Sequence, residues 1–238
     1  MTERRSFRTT LTGFAIATSM LVVAIPASVS ATDHATPGAM AACGDMLSSA
    51  TPAPMNMDMG DHEMMAEIEF DLSYIDMMIP HHGSIIALAE IAQSTLTDQR
   101  LIDISADIIE SQTAEMQELQ TLRDQFYPDS AIGDPNDHES MHTAFPSLTT
   151  WSVPMEEWGN VMSADWQVET FCAADNPDLA FVQQVIPHHK MAILVSQDAL
   201  TMAVHPEIKT IAERVIPAQQ AEVDVLNAIL TELTAATP

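Results

Sequence analysis

The chain has 238 residues, with 34 Asp+Glu against 8 Lys+Arg and a formal net charge of −26 at pH 7. That length holds one or two domains with a real core. The charge excludes electrostatic binding of nucleic acid or an anionic membrane; it suits cations, or simply solubility.

Residues 1–31 read as an export signal peptide. Arg4, Arg5 and Arg8 form a basic start, Leu11 to Ala27 an apolar stretch, and Val29-Ser30-Ala31 a small-residue cleavage site. The apolar stretch is short of the roughly 20 residues a membrane span needs, so cleavage is expected over anchoring. Arg4-Arg5-Ser6-Phe7 resembles a twin-arginine signal. The mature chain is then expected to start near Thr32, in the periplasm, at the cell surface or outside the cell, with no stable membrane insertion. Cleavage leaves five basic and 33 acidic residues, a net of about −28.

Residues 32–66 are rich in Ala, Thr, Pro and Met without a steady period, and read as a flexible, disordered tail. Met55, Met57, Met59 and His62 stand close together in it. A tail has no core to fill, so these thioethers point to capture of a soft metal such as Cu(I). Cys43 and Cys172 are the two cysteines of an exported chain, which predicts a disulfide.

Residues 67–127 form a first repeat unit and 174–238 a second. Asp71-Leu72-Ser73-Tyr74-Ile75-Asp76-Met77-Met78-Ile79-Pro80-His81-His82 returns 107 residues later as Asp178-Leu179-Ala180-Phe181-Val182-Gln183-Gln184-Val185-Ile186-Pro187-His188-His189. The same offset maps Gln112 onto Gln219 and Glu115 onto Glu222. An ungapped repeat of this kind implies a duplicated structural unit. Each unit reads as a helical hairpin. Ile75, Met78, Ile79, His82, Ile86 and Ala89 make one stripe; Leu101, Ile104, Ile108, Gln112, Glu115 and Leu119 make its partner. Val182, Val185, Ile186, His189 and Ile193 repeat the first stripe; Ile208, Ile211, Val215, Gln219 and Leu226 repeat the second. Asp71 and Asp178 are expected as N-caps, and Pro206 at a helix start. Pro80 and Pro187 are expected to kink their helices or to start them. Two such hairpins bury their stripes by forming an all-α four-helix bundle. The connector, 128–173, is expected to keep Trp151, Trp158 and Trp166 outside the core.

With turns near Leu96–Thr97 and Ala203–Val204, His81 falls level with Gln112, and His188 with Gln219. His82 and His189 fall on the central stripe, flanked by His81 and His188. The metal-ligand candidates are therefore His81, His82, Gln112, Glu115, His188, His189, Gln219 and Glu222. Met77 and Met78 join them or fill the core. The alternative is a metal-free, fully bonded polar network.

The segments Asp71-x-x-Tyr74-x-x-x-Met78-Ile79-Pro80-His81-His82 and Asp178-x-x-Phe181-x-x-x-Val185-Ile186-Pro187-His188-His189, with Gln112-x-x-Glu115 and Gln219-x-x-Glu222, resemble domain-of-unknown-function family 305, present twice. The resemblance implies a ferritin-like four-helix fold, export and, as in some members, copper binding through His and Met. Leu88, Val195, Leu119 and Leu226 stand where the family often carries methionine, so the two repeats are not expected to bind copper equally. The expected function is copper buffering, sequestration or chaperoning without enzymatic activity, as Cu(I) or Cu(II), with other transition metals and a transfer partner left open. The alternatives are a di-metal oxidase, whose Glu-x-x-His motif occurs only at Glu139-Ser140-Met141-His142, and a metal-free envelope interaction module.

Overall fold

The structure, a computed structural model, describes Cys43 and residues 70–134, 138–151, 153–154 and 157–235. The signal peptide and the methionine-rich segment lie outside the described residues, apart from Cys43. Four long helices build the bundle: α1 (Phe70–Ala92), α2 (Gln99–Phe126), α6 (Pro177–Met202) and α7 (Pro206–Ala235). Between α2 and α6 run α3 (His138–Ala144), a 3-10 turn (Pro146–Thr150), α4 (Trp158–Met162) and α5 (Ala164–Cys172). The described residues include no strand, and no helix among them is long and apolar enough to cross a membrane.

Local signals account for the outer helices. Asp98 caps α2 by accepting from the Arg100 amide at 2.9 Å. Pro206 opens α7, where its missing N–H costs nothing. Leu101, Ile104, Ile108, Gln112 and Leu119 are buried on α2, and Ile208, Ile211, Val215, Gln219 and Leu226 on α7. The inner helices depart from a single stripe. On α1, Tyr74, Met77, His81, Ser84, Ile85 and Leu88 are buried beside the expected face, while Ile79 and Ile86 keep some exposure. Each inner helix packs against its own hairpin partner, the other inner helix and the connector, so it is apolar nearly all round. Pro80, Pro187 and Pro217 lie inside continuous helices, so none of them starts one.

Asp71 and Asp178 do not cap their own helices. Asn176 caps α6, accepting from Leu179 N at 3.1 Å. Asp178 instead crosses to the first hairpin's turn, where it accepts from Thr97 N at 2.8 Å, Thr97 Oγ1 at 2.6 Å and Asp98 N at 3.2 Å. Asp71 answers at the second hairpin's turn, accepting from Val204 N at 3.0 Å, His205 N at 2.7 Å and His205 Nδ1 at 2.7 Å. A turn donor needs an acceptor, and a carboxylate from the facing hairpin supplies it more completely than a cap within its own helix would. The start of each inner helix thus meets the end of the other, so α1 and α6 run antiparallel. Tyr74 Oη and Ser196 Oγ, 2.9 Å apart, tie them together near the Asp71 end.

The connector adds to the core, contrary to the sequence expectation. Trp151 and Trp158 are 8% and 5% exposed, packed with Phe145, Leu148 and Val161; only Trp166, at 39%, faces outward. Arg123 and Asp76 form a buried ion pair at 2.6 Å. Arg123 also donates to Ser130 O and Ala131 O, and Asp76 accepts from Gly133 N. Together they pin the chain as it leaves α2. Cys43 and Cys172 are disulfide-bonded, with Cα atoms 5.9 Å apart, as the cysteine count suggested.

Candidate metal centre

The apolar core is two clusters with a polar layer between them. One cluster holds Tyr74 to Met78, Leu119, Met191 to Ala203 and Ile208 to Val215; the other holds Ile85 to Ala92, Leu101 to Ile108, Ala180 to Ile186, Leu226 and Ile229. In sequence, His81, His82, Gln112, Glu115, His188, His189, Gln219 and Glu222 fall in the gaps between these stretches. All four imidazoles have 0% exposure.

Each hairpin pairs one histidine with one glutamate across its two helices. His82 Nε2 lies 2.9 Å from Glu115 Oε2, and His189 Nε2 bonds Glu222 Oε2. Both partners are 33 residues apart. The register is therefore His82 with Glu115, not His81 level with Gln112. The carboxylates sit at the rim, with side chains 14% and 19% exposed, while the imidazoles they hold are fully inside.

His81 and His188 meet across the two hairpins. Their rings stack with centroids 3.6 Å apart and planes at 29°. These two residues are equivalent under the repeat, so the approximate two-fold axis passes between them. The expected order is thus reversed: His81 and His188 are central, and His82 and His189 face outward to glutamates. The stack is not symmetric. His188 Nε2 donates to the His81 carbonyl at 2.8 Å, whereas neither ring nitrogen of His81 has a hydrogen-bond partner among the described residues. Ser84 breaks the symmetry. Its hydroxyl donates to the His81 carbonyl at 2.8 Å and lies 3.3 Å from His188 Nε2, with Gln167 Nε2 of α5 at 3.3 Å. The residue equivalent to Ser84 is Met191, buried in the apolar cluster. Ser84, Gln167 and Met191 escaped the sequence reading because none stands out by type or spacing.

Burial pushes the His81 and His188 imidazoles well below the usual 6.5, and the neighbouring imidazoles push the same way. Both rings are neutral at neutral pH, the form a metal requires. Other polar atoms of the layer are also unpaired among the described residues. They are Nδ1 of His82, His188 and His189, Oε1 of Gln112, and both amide atoms of Gln219. Unpaired buried polar atoms are rare and call for a reason.

Met77 and Met78 are fully packed in the first cluster with Met191, as core filling requires. Met116, beside Glu115, lies 4.0 Å from where a Cβ on Gly83 would be, and so comes next to the first histidine pair. Met55, Met57, Met59 and His62 lie outside the described residues. Glu139-Ser140-Met141-His142 falls on the connector helix α3, and His142 packs against Trp158 with ring centroids 4.5 Å apart. Among the described residues, no three of His, Cys, Asp or Glu converge on one point. Stacked rings aim their in-plane lone pairs alongside each other, so His81 and His188 cannot share one ion without turning. The donor chemistry fits copper, with imidazole suited to either oxidation state and thioether to Cu(I).

The family model described as "Domain of unknown function (DUF305)" matches residues 26–123 and, overlapping them, 71–230. The chain belongs to DUF305. Among solved structures it is similar to CopM in the Cu(II)-bound form, with a TM-score of 0.54 and 26% identity over 68% of this chain and 97% of that one. CopM in the Cu(I)-bound form gives 0.52 at 24%, over 68% and 96%. A DUF305 protein from Streptomyces coelicolor reaches 0.56 at 15% identity, over 70% and 95%, and supports the fold. The uncharacterized protein L153 of Acanthamoeba polyphaga mimivirus is 38% identical over 55 residues, 23% of this chain. That stretch spans about a third (36%) of L153. In this DUF305 chain the His–Glu pair within each hairpin and the aspartate contact with the facing turn recur at the 107-residue offset.

Proposed function

We propose that this DUF305 protein binds copper outside the cytoplasm and buffers, sequesters or passes on the ion, with copper as cargo. The carrying observation is the mid-bundle layer, where five ring nitrogens of four fully buried histidines have no hydrogen-bond partner among the described residues. A metal-free network would need these atoms satisfied. An imidazole lone pair in a buried layer suits a borderline or soft cation. CopM, similar at 26% identity, is a Cu(II)-bound protein, which favours copper among the transition metals. Met55, Met57, Met59 and His62 would form a second class of site, preferring Cu(I), on the strength of their composition alone. Export rests on the basic, apolar and small-residue series at the N-terminus.

The test is copper titration of the mature protein and of a variant with His81, His82, His188 and His189 all replaced by alanine, its fold first confirmed by circular dichroism. The variant is expected to lose the bundle class of site and keep the tail class. A folded variant that binds as much copper as the parent would remove the histidines from the account. A companion variant with Met55, Met57, Met59 and His62 replaced is expected to lose Cu(I) capacity only.

A further inference from the structure

We infer that Glu115 and Glu222 are positioning residues and not copper ligands: each keeps a proton on Nε2 of its histidine, so Nδ1 is the atom offered to the metal. The inference rests on the copper reading and assigns its donor atoms. A carboxylate facing an imidazole nitrogen at hydrogen-bond distance only accepts, so Nε2 of His82, 2.9 Å from Glu115, must donate. A neutral ring carries one proton, which leaves the lone pair on Nδ1. Nδ1 of His82 and Nδ1 of His189 are both buried and without a hydrogen-bond partner among the described residues. Were Nε2 the ligating atom, Nδ1 would carry the proton into a place with no acceptor.

The arrangement occurs twice, with the same 33-residue spacing and the same atoms. His188 repeats the logic with a different acceptor, since its Nε2 donates to the His81 carbonyl and its Nδ1 is unpaired. Metal-binding histidines commonly give their second N–H to a carboxylate or carbonyl, which sets the tautomer and makes the ligating nitrogen more basic. Placing Glu115 and Glu222 at the rim keeps their charge near water and spares the core an unpaired anion.

Long-range proton–nitrogen NMR of the 15N-labelled, metal-free mature protein reads the tautomers directly. His82 and His189 are expected in the Nε2–H form, and the Nδ1–H form would overturn the inference. Silver(I), a diamagnetic probe, is then added. Movement of the Nδ1 resonances supports the assignment; movement of Nε2 with Nδ1 unchanged refutes it. Glu115→Gln, which still offers an oxygen to Nε2, is expected to hold the tautomer and bind silver nearly as the parent does. Glu115→Leu is expected to lose the tautomer and bind roughly 10–100-fold more weakly. Equal losses in the two variants would make Glu115 a ligand and sink the positioning role. If the folded parent takes up neither silver nor copper, the copper reading itself falls, an outcome distinct from uptake through Nε2.

Discussion

The two hairpins share their His–Glu pairs and their aspartate contacts, and differ in other contacts, polar and apolar alike. His82–Glu115 recurs as His189–Glu222, and Asp71 and Asp178 each grip the turn of the opposite hairpin. The packing around these contacts has drifted. Met77 corresponds to Gln184, Met78 to Val185, Ser84 to Met191, and the buried pair Asp76–Arg123 to Gln183 and Leu230. Tyr74, bonded to Ser196, corresponds to Phe181, which has no hydroxyl. A core position tolerates many apolar replacements of similar volume. A buried imidazole–carboxylate pair tolerates few, because losing one partner strands the other. What the two halves keep residue for residue are the His–Glu pairs and the aspartates, whereas many equivalent core positions keep only their apolar character.

The largest test of this contrast uses a contact that only the first hairpin owns. Arg123→Leu, copying Leu230, strands Asp76 in the core and is expected to cost about 3–5 kcal/mol. Urea unfolding of the variant measures it; a loss below 1 kcal/mol would mean that Asp76 finds water or another partner. The aspartates probe the opposite expectation, equality. Asp71→Ala and Asp178→Ala each remove the carboxylate that several turn donors share, and each is expected to cost about 1–2 kcal/mol. A large gap between their urea midpoints would show that the shared geometry does not carry shared energy.

Next in size is a pH effect on the central pair. His81 and His188 bind a proton less readily folded than unfolded. The unfolded chain therefore takes up more protons below its ordinary imidazole value near 6.5, and stability falls as pH drops through that value. The loss approaches about 1.4 kcal/mol per pH unit for each ring. Unfolding midpoints at pH 7.5, 6.5 and 5.5 should decline in that order, and a flat series would contradict the burial of neutral imidazoles. The smallest effect restores equivalence: Gln184→Met copies Met77 and removes two unpaired amide atoms. It is expected to raise stability by about 1 kcal/mol, read as a higher thermal midpoint.

The helices, the two turns and the His–Glu partnership within each hairpin were legible in the sequence, because apolar spacing and the ungapped repeat encode them locally. The pairing register was not, since a slip of four residues, about one helical turn, separates His81 opposite Gln112 from His82 opposite Glu115. Nor was the crossing of Asp71 and Asp178. An aspartate at a helix start looks like a cap, and nothing nearby shows that Asn176 already fills that role. The stack of His81 on His188 depends on how two distant helices cross. Gln167 reaches Ser84 only because the connector folds back over the inner helices. Trp151 and Trp158 misled for the same reason: a stretch broken by prolines reads as surface until its tryptophans are seen closing one end of the core.

The disulfide has a topological consequence. Cys172 packs with the apolar cluster at the Asp178 end of the bundle, whereas Phe70 opens α1 at the Asp71 end. The residues from 44 to 69 are thus bound covalently at both ends, to points about 30 Å apart by the length of α1. One protease cut within them would shed nothing, because the piece ahead of the cut stays attached through sulfur until a reductant arrives. Met55, Met57, Met59 and His62 belong to this closed circuit. After such a cut they would all remain covalently joined to the protein, by sulfur on one side and by the peptide chain on the other.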